Sequence, residues 1–381
     1  MLPLYTRARV RGVREKSIVK VLAANEALRT DIDTRRCLLW LEQNKNVESE
    51  RLGDSWAGIL TNGEIENGNA ARIVVDCIET PSVIAPGDVI RLLEGSSRVS
   101  VLFRRGSNSN TLLATERCNS FCVMCSQPPR DVDDRWLVDE MLETIPLVDR
   151  EEVQLGVSGG EPTLLGDDLV VVLHQARRFL PDTGLHILSN GRRFADEAFA
   201  RTVCAVRHPN LTWGIPVFSD CPEIHDYIVQ VRSAWDETLI GLFNLAKFGG
   251  NIEIRVVVQR PNVERLGELA YFIFRNLTFS KHVAFMGLEP IGFAKKNYEQ
   301  LWIDPVDCMK ALKDAVYFLA NRGMTVSLYN FPLCTVPKEL RLYCRQSISD
   351  WKNTYLAECN SCDQRGKCCG FFRTINSKSL T

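Results

Sequence analysis

Between about residue 111 and residue 330 the chain alternates short apolar runs with longer amphipathic stretches. The pattern predicts strands at Thr111–Thr115, Val153–Ser158, Gly184–Ser189, Leu211–Phe218, Ile252–Gln259 and His282–Leu288. It predicts helices at Asp168–Leu180, at Ala234–Phe248 (closed by Gly249 and Gly250) and at Val263–Leu277. Near-continuous apolar strands separated by helices signal parallel βαβ units, whose strands are covered on both faces. Six such units predict an α/β fold, a partial (β/α)6 TIM-like barrel, with functional loops leaving the C-terminal ends of the strands. Upstream the pattern changes: residues 1–108 lack long helical periodicity and carry runs such as Ala71–Ile78 and Val99–Phe103 between turns such as Pro86 and Gly87. That predicts a small β-rich domain. The polar stretch Arg104–Asn110 reads as a linker. The expected organisation is therefore 1–108, 109–330 and a Cys-rich extension at 331–381.

Composition narrows the class. With 381 residues, 45% of them hydrophobic and 24% charged, the chain can bury a sizeable core without covalent staples. The N-terminal segment has no apolar signal core and no apolar run is long enough to span a bilayer, so a cytoplasmic, reduced protein with no membrane partner is expected. A net charge of −1 gives no electrostatic footprint for nucleic acid. The basic pairs Arg104–Arg105, Arg177–Arg178, Arg192–Arg193 and Lys295–Lys296 are scattered and read as solvated faces. In a reduced compartment, clusters among fourteen cysteines point to metal or redox chemistry rather than disulfides.

The sharpest cluster is Cys118, Cys122 and Cys125, placed by the strand pattern in the loop after the first barrel strand. Three thiolates from one short loop can hold three corners of a four-iron cluster and leave the fourth iron open for chemistry. The rival is a structural zinc site, which an uneven triplet of ligands fits poorly. At the end of the second strand stand Gly159, Gly160, Glu161 and Pro162. The glycines allow close backbone approach to a ligand, while Glu161 and Pro162 fix a turn.

Together these residues resemble the radical S-adenosylmethionine (SAM) superfamily. The resemblance implies reductive cleavage of SAM bound at the open iron of a [4Fe-4S] cluster, giving a 5′-deoxyadenosyl radical that takes a hydrogen atom from substrate. It implies Cys118, Cys122 and Cys125 as cluster ligands, Gly159 to Pro162 as the segment holding the methionyl amine, and Ser189 and Asn190 as a ribose or carboxylate contact. Arg255 is a candidate for the SAM carboxylate, with an ion pair as its alternative, and Gly287–Gly292 for the adenine. Met124 stands where the family usually has an aromatic residue; its thioether is also apolar and polarizable.

The tail is similar to the auxiliary-cluster domain of SPASM or twitch type found in radical SAM peptide modifiers. Cys359, Cys362 and Cys368 are followed by Cys369, with Cys334 and Cys344 upstream. Four thiolates close one cluster. The preferred set for a second, auxiliary iron–sulfur cluster is Cys334, Cys359, Cys362 and Cys368. Cys344 falls in a segment, 337–346, that reads as helical, and Cys369 reads as a spare; zinc is the rival metal.

Segments Leu112–Pro129, Phe285–Glu289 and Ser347–Asn353, with Cys368–Phe372, further resemble the radical SAM maturases of the His-Xaa-Ser system (HxsC-like). That implies a His-Xaa-Ser repeat protein as substrate, a second radical SAM maturase of the same system as partner, and an electron donor such as flavodoxin or ferredoxin. The N-terminal domain is a candidate partner-recognition module. The alternatives are a radical SAM enzyme acting on a small cofactor precursor or nucleic acid, and a non-enzymatic iron–sulfur electron carrier or sensor. Cys37, Cys77, Cys204, Cys221 and Cys308 read as buried thiols, and His174 as a packing or surface residue. His225 and Asp226 read as a helix-start pair, and Trp351, Phe371 and Phe372 as core aromatics.

Overall fold

The computed structural model describes residues 4–26, 32–41, 55–65, 72–349 and 352–374; Ala71 and Trp351 lie outside them. The chain forms two compact units, one from 1–112, 135–156 and 172–183, the other from 113–134, 157–171 and 184–381.

In the first unit eight strands share one sheet, in the order Tyr5–Arg7, Arg98–Phe103, Val89–Leu93, Lys16–Leu22, Cys37–Leu41, Gly58–Thr61, Ile73–Asp76, Arg9–Arg11. The two edge strands are consecutive in the chain with only Ala8 between them, so the sheet curls until its edges approach. Curling protects edges that would otherwise recruit another chain. Alternation along the strands fills the inside: Val19 and Val21, Ile90 and Leu92, and Val99 and Val101 all belong to one buried cluster. The opposite face of Lys16–Leu22 carries Lys20, whose side chain is fully buried. Its Nζ donates to Leu147 O at 2.7 Å and to Asp149 Oδ1 at 2.6 Å. Burial lowers the Lys20 pKa from its ordinary value, with Asp149 opposing. Replacing Lys20 by Met should destabilise this unit by about 3 kcal/mol, because the Leu147 carbonyl and one Asp149 oxygen lose a buried donor. A lower urea midpoint with an unchanged slope is the expected readout.

The stretch Arg104–Asn110 is a folded turn rather than a loose linker. Asn110 accepts from Arg104 N at 2.9 Å and donates to Arg104 O at 2.8 Å, and the Arg104 guanidinium reaches Val83 O at 3.0 Å. Arg105 is ion-paired with Asp149 and Glu26. This basic pair is therefore not a solvated face: each guanidinium has partners that lie far away in sequence.

The second sheet has seven strands in chain order: Thr111–Leu113, Gln154–Ser158, Gly184–Leu188, Leu211–Pro216, Asn251–Val258, His282–Gly287 and Val326–Tyr329. The pairing is parallel from the third strand to the seventh. The six expected strands are present with ends shifted by up to two residues, and Val326–Tyr329 extends the arc. Ser327 breaks that short run and hides it from a hydropathy reading. The expected helices appear at Asp167–Phe179, Ala234–Lys247 and Leu266–Asn276, the last after a 3-10 turn at Val263–Arg265. Among the described residues four more long helices, Trp136–Thr144, Glu197–Ala205, Pro222–Val229 and Pro305–Ala320, and two single-turn ones, Phe293–Lys296 and Tyr298–Leu301, lie outside the predicted set, although His225 and Asp226 mark a helix near the third of them. Two of these begin in a way the sequence signals, with Pro at the first turn of Pro222–Val229 and Pro305–Ala320.

The sheet faces differ in chemistry. On the fifth strand Ile252, Ile254, Val256 and Val258 are buried on one face, while Glu253, Arg255 and Val257 occupy the other. Trp213 and Ile215 do the same on the fourth strand, Trp213 meeting Phe194 edge-on at 4.8 Å. The tail folds as 3-10 turns, including Lys338–Tyr343 where a helix was expected, and a two-stranded ribbon of Asn353–Thr354 with Phe371–Phe372.

Candidate functional site

The cysteine loop leaves the first strand of the parallel sheet through Thr115–Arg117, and the Gly159–Gly160 turn docks on that stem. Gly160 N donates to Thr115 O at 2.7 Å and Glu161 N to Arg117 O at 2.8 Å. A Cβ on Gly160 would lie 2.0 Å from Arg117 O, and one on Gly159 (φ 147°) 2.3 Å from Thr115 O. The close approach that these glycines permit is thus backbone against backbone. Asp134 fastens the same stem, accepting from Thr115 Oγ1 at 2.8 Å and from Glu116 N at 2.5 Å.

Glu161 is fully buried and accepts from Thr163 N, Thr163 Oγ1, Ser189 Oγ and Asn190 N at 3.0, 2.6, 2.7 and 2.6 Å. Burial raises its pKa from the ordinary carboxylate value, and these hydrogen bonds oppose the rise. Glu161 and Ser189 therefore face each other and pin the turn after the second strand to the turn after the third. Asn190 and Arg192 carry the link to the cysteine loop. Asn190 Nδ2 donates to Asn119 Oδ1 at 2.6 Å, and Arg192 Nη1 to Asn119 O at 2.6 Å and Ser120 Oγ at 3.1 Å. Arg192 also pairs with Glu237, and its side chain is only 13% exposed. It is a loop brace, not the solvated charge that its place in a basic pair suggested.

The far side of the loop is held as firmly. Phe121 N and Val123 N donate to Val229 O and Ile228 O at 3.2 and 2.9 Å, Asn297 Nδ2 to Val123 O at 2.8 Å, and Phe293 N to Cys125 O at 2.8 Å. Gly292 (φ 62°) has no room for a side chain, since its Cβ would meet Cys125 O at 2.5 Å. Met124 packs with Val257 against the apolar groups around Leu288 and Ala294.

Within this frame, burial pushes the thiols upward: Cys118 to about 11, with Glu161 and Cys125 adding, and Cys122 to about 12, with Cys125 and Cys118 adding. Cys125 is raised for the same first reason. Three neighbouring thiolates there call for a cation to offset their charge, and a metal cluster supplies one. Among the described residues no three His, Cys, Asp or Glu side chains gather around one point as the ligands of a single ion do. A cubane asks for something different, each cysteine taking its own iron.

In the tail, burial raises the Cys334 thiol, and Cys368, Cys359 and Cys362 are close enough to add to the rise. Cys344 and Cys369 are coupled to Cys368 in the same way, so the tail thiols interact as a group. Cys368 is drawn down to about 6 by a hydrogen bond from Cys369, helped by the Leu333 and Gly370 amides at 3.3 and 3.4 Å. Cys369 is 3% exposed and packs with Ile348 and Phe372. Cys344 directly follows the Lys338–Tyr343 turn, its Sγ 3.9 Å from Leu340 O.

Other candidates fall outside this frame. Arg255 pairs with Glu253 on its own strand. Cys37 and Cys308 are buried, but Cys77 is exposed and Cys204 and Cys221 are half-exposed, which corrects the expectation for these three. Cys77 sits at φ 52° just past the Ile73–Asp76 strand, between the buried Asp76 and Ile78. His225 is buried and its Nδ1 accepts from Phe218 N at 3.3 Å, while Asp226 caps the next helix through Ser233 N and Trp235 N. His174 is exposed.

Residues 112–273 match the model of the Radical SAM superfamily. This matching stretch covers less than half of the chain. It holds the cysteine triplet, the Gly159–Pro162 turn, Ser189, Asn190 and Arg255. No curated protein matches the chain. Among solved structures, Streptococcus suis SuiB bound to S-adenosylmethionine is 14% identical over 60% of this chain and 51% of its own, with a TM-score of 0.45. Native anSMEcpe with AdoMet and the Cp18Cys peptide is 19% identical over 57% of this chain and 62% of its own, with a TM-score of 0.44. Coproporphyrinogen III oxidase (HemN) from Escherichia coli is 15% identical over 56% and 52%, with a TM-score of 0.43. The chain thus spans less than two thirds of each of these proteins. A radical SAM domain implies a [4Fe-4S] cluster and SAM, and the donor chemistry of the three loop cysteines fits that cluster.

Proposed function

We propose that the protein is a radical SAM enzyme that modifies a ribosomally made peptide or protein, with a His-Xaa-Ser repeat protein as its substrate. The observation that carries the reading is the cysteine loop, fixed by backbone hydrogen bonds to the turn that ends the second strand and by the Asn190 and Arg192 side chains to the turn that ends the third. In this reading Cys118, Cys122 and Cys125 hold the cluster, which supplies the electron that cleaves SAM to a 5′-deoxyadenosyl radical. Glu161 does not reach out to the ligand in this arrangement. It fixes the Ser189–Asn190 turn beside the cysteine loop. The apolar surround of Met124, Val257 and Leu288 keeps water from the reacting centre.

The peptide substrate rests on the tail. In this reading Cys334, Cys359, Cys362 and Cys368 supply the four thiolates of an auxiliary cluster, supported by the electrostatic coupling of these thiols, while Cys369 packs with Ile348 and Phe372. A second maturase and a flavodoxin or ferredoxin as electron source complete the proposed system, and the β-rich N-terminal unit is proposed to engage the partner protein. After anaerobic reconstitution, dithionite and SAM should give 5′-deoxyadenosine, and a co-expressed His-Xaa-Ser repeat protein should change mass. Absence of 5′-deoxyadenosine from protein with an intact cluster would leave an electron carrier or sensor as the reading. Deoxyadenosine without any mass shift would leave the radical chemistry and remove this substrate.

A further inference from the structure

The cysteine loop has two sides. Val123 and Met124 turn inward and pack with Val257, Leu288 and Ala294, whereas Phe121, the residue before Cys122, is 57% exposed. A single exposed apolar residue is ordinary on a protein surface. The surroundings of Phe121 are not. Its amide and that of Val123 donate to Val229 O and Ile228 O, at the end of the Pro222–Val229 helix. That helix exposes Tyr227 (47%) and leads into Arg232. On the other side of the loop Phe293 N donates to Cys125 O and Asn297 Nδ2 to Val123 O, with Lys295 and Lys296 between them. Arg260 N donates to Leu301 O at 2.9 Å, at the end of the turn that follows.

Arg232, Arg260, Lys295 and Lys296 are all exposed and make no ion pair among the described residues. The carboxylates of the same segments do not balance them. Asp226 caps Ser233 N and Trp235 N, Glu223 accepts from the Cys221 thiol, and Glu299 remains. A chain of net charge −1 thus gathers local positive charge around Phe121. Cations around an aromatic centre fit an acidic partner that docks briefly. Electron-transfer encounters are among the smallest specific interfaces, below roughly 1,200 Å², and rely on charge to steer and orient. Substrate is the poorer match for this side of the loop, because the reacting centre lies on the inner side with Met124. An electron has only to reach iron, and Phe121 is one residue from Cys122.

We propose that Phe121, Arg232, Arg260, Lys295 and Lys296 form the docking site of a small acidic one-electron carrier protein. Through it one electron passes from the reduced carrier, which is thereby oxidised, to the cluster held by Cys118, Cys122 and Cys125; no bond is made or broken. This rests on the radical SAM reading above. The test uses reconstituted protein and flavodoxin as the probe. The Kd for oxidised flavodoxin is measured by calorimetry at low and high salt. Release of 5′-deoxyadenosine driven by reduced flavodoxin is compared with release driven by dithionite, which needs no docking site. The double variant Lys295→Glu, Lys296→Glu and the single variant Arg232→Glu should each weaken flavodoxin roughly tenfold or more at low salt, and slow flavodoxin-driven release as much at subsaturating carrier. The gap to wild type should narrow at high salt, where surface charges are screened. Iron content and dithionite-driven release should stay within about twofold of wild type, as for surface substitutions away from a site. Phe121→Ala should weaken flavodoxin without changing the salt dependence, which belongs to the charges. Should the double variant lose iron, Lys295→Gln with Lys296→Gln is read against the same expectation. Unchanged flavodoxin binding and flavodoxin-driven release overturn the proposal. An equal fall with dithionite also overturns it, since the lysines would then act on the cluster itself. So does a wild type that takes electrons from neither flavodoxin nor an acidic ferredoxin, and so do variants that lose binding of a single-stranded RNA while keeping flavodoxin. If wild type releases no 5′-deoxyadenosine with dithionite, the radical SAM reading fails and this inference with it; if dithionite works and the variants match wild type with flavodoxin, only this inference fails.

Discussion

Cys122→Ser is expected to lose about four irons per chain and to reduce 5′-deoxyadenosine release to below roughly 1% of wild type, since a cluster missing one of its three ligands is not retained. Cys122 is the most enclosed of the triplet, packed beside Phe218, Ile228 and Val229, so no water or neighbouring side chain stands ready to replace its sulfur. Cys359→Ser provides the contrast. It should also remove about four irons, but from the tail, and leave SAM cleavage without substrate close to wild type. Cys369→Ala should keep all the iron and lower stability only slightly, because that thiol packs against Ile348 and Phe372. Iron determination with Mössbauer spectroscopy separates the three outcomes. If Cys359→Ser retained full iron and released a stoichiometric zinc, the tail would be a zinc site while the assignment of the triplet stood.

The second large effect is expected at Gly160. In Gly160→Ala the new Cβ would have to occupy space 2.0 Å from Arg117 O and 2.5 Å from Arg117 C, both backbone atoms one residue before Cys118. Neither can swing aside as a side-chain end would. Relief requires breaking the bonds of Gly160 N to Thr115 O and Glu161 N to Arg117 O. The expected cost is about 3 kcal/mol, with loss of iron on reconstitution, since the loop stem moves with the turn. Gly267→Ala is the control: it lies in the Leu266–Asn276 helix with nothing within 4 Å of its Cβ position. There alanine should raise stability by up to about 1 kcal/mol. Chemical denaturation of both variants alongside their iron content checks the pair. Equal iron in Gly160→Ala and wild type would mean that the turn and the loop are independent.

Much of this was legible before folding. The apolar runs at Val153–Ser158 and Ile252–Gln259, bounded by turns and alternating with helical patterns, read as strands, and both are strands in the sheet. The seventh strand and the additional helices were not legible, because most are short or interrupted and owe their form to the surfaces that cover them. The cysteine triplet and the glycine turn stood out because spacing and residue type survive in one dimension. Arg192, Asp134 and Glu253 did not, since each has partners far away in sequence, Asn119 for Arg192, Glu116 for Asp134 and His282 for Glu253. A basic pair or a charge in a strand looks the same whether it is solvated or braced.

The sequence by itself determined the succession of strands, the placing of Cys118, Cys122 and Cys125 after the first of them, and the glycines that end the second. These depend on local periodicity and on the absence of side chains, which are properties of the chain alone. Only the tertiary structure decided what the glycines approach, that Glu161 joins two turns, that Cys369 packs with Ile348 and Phe372, and that Arg255 pairs with Glu253. Those outcomes depend on which distant groups share a buried space, where an unpaired charge or an extra methyl group has nowhere to go.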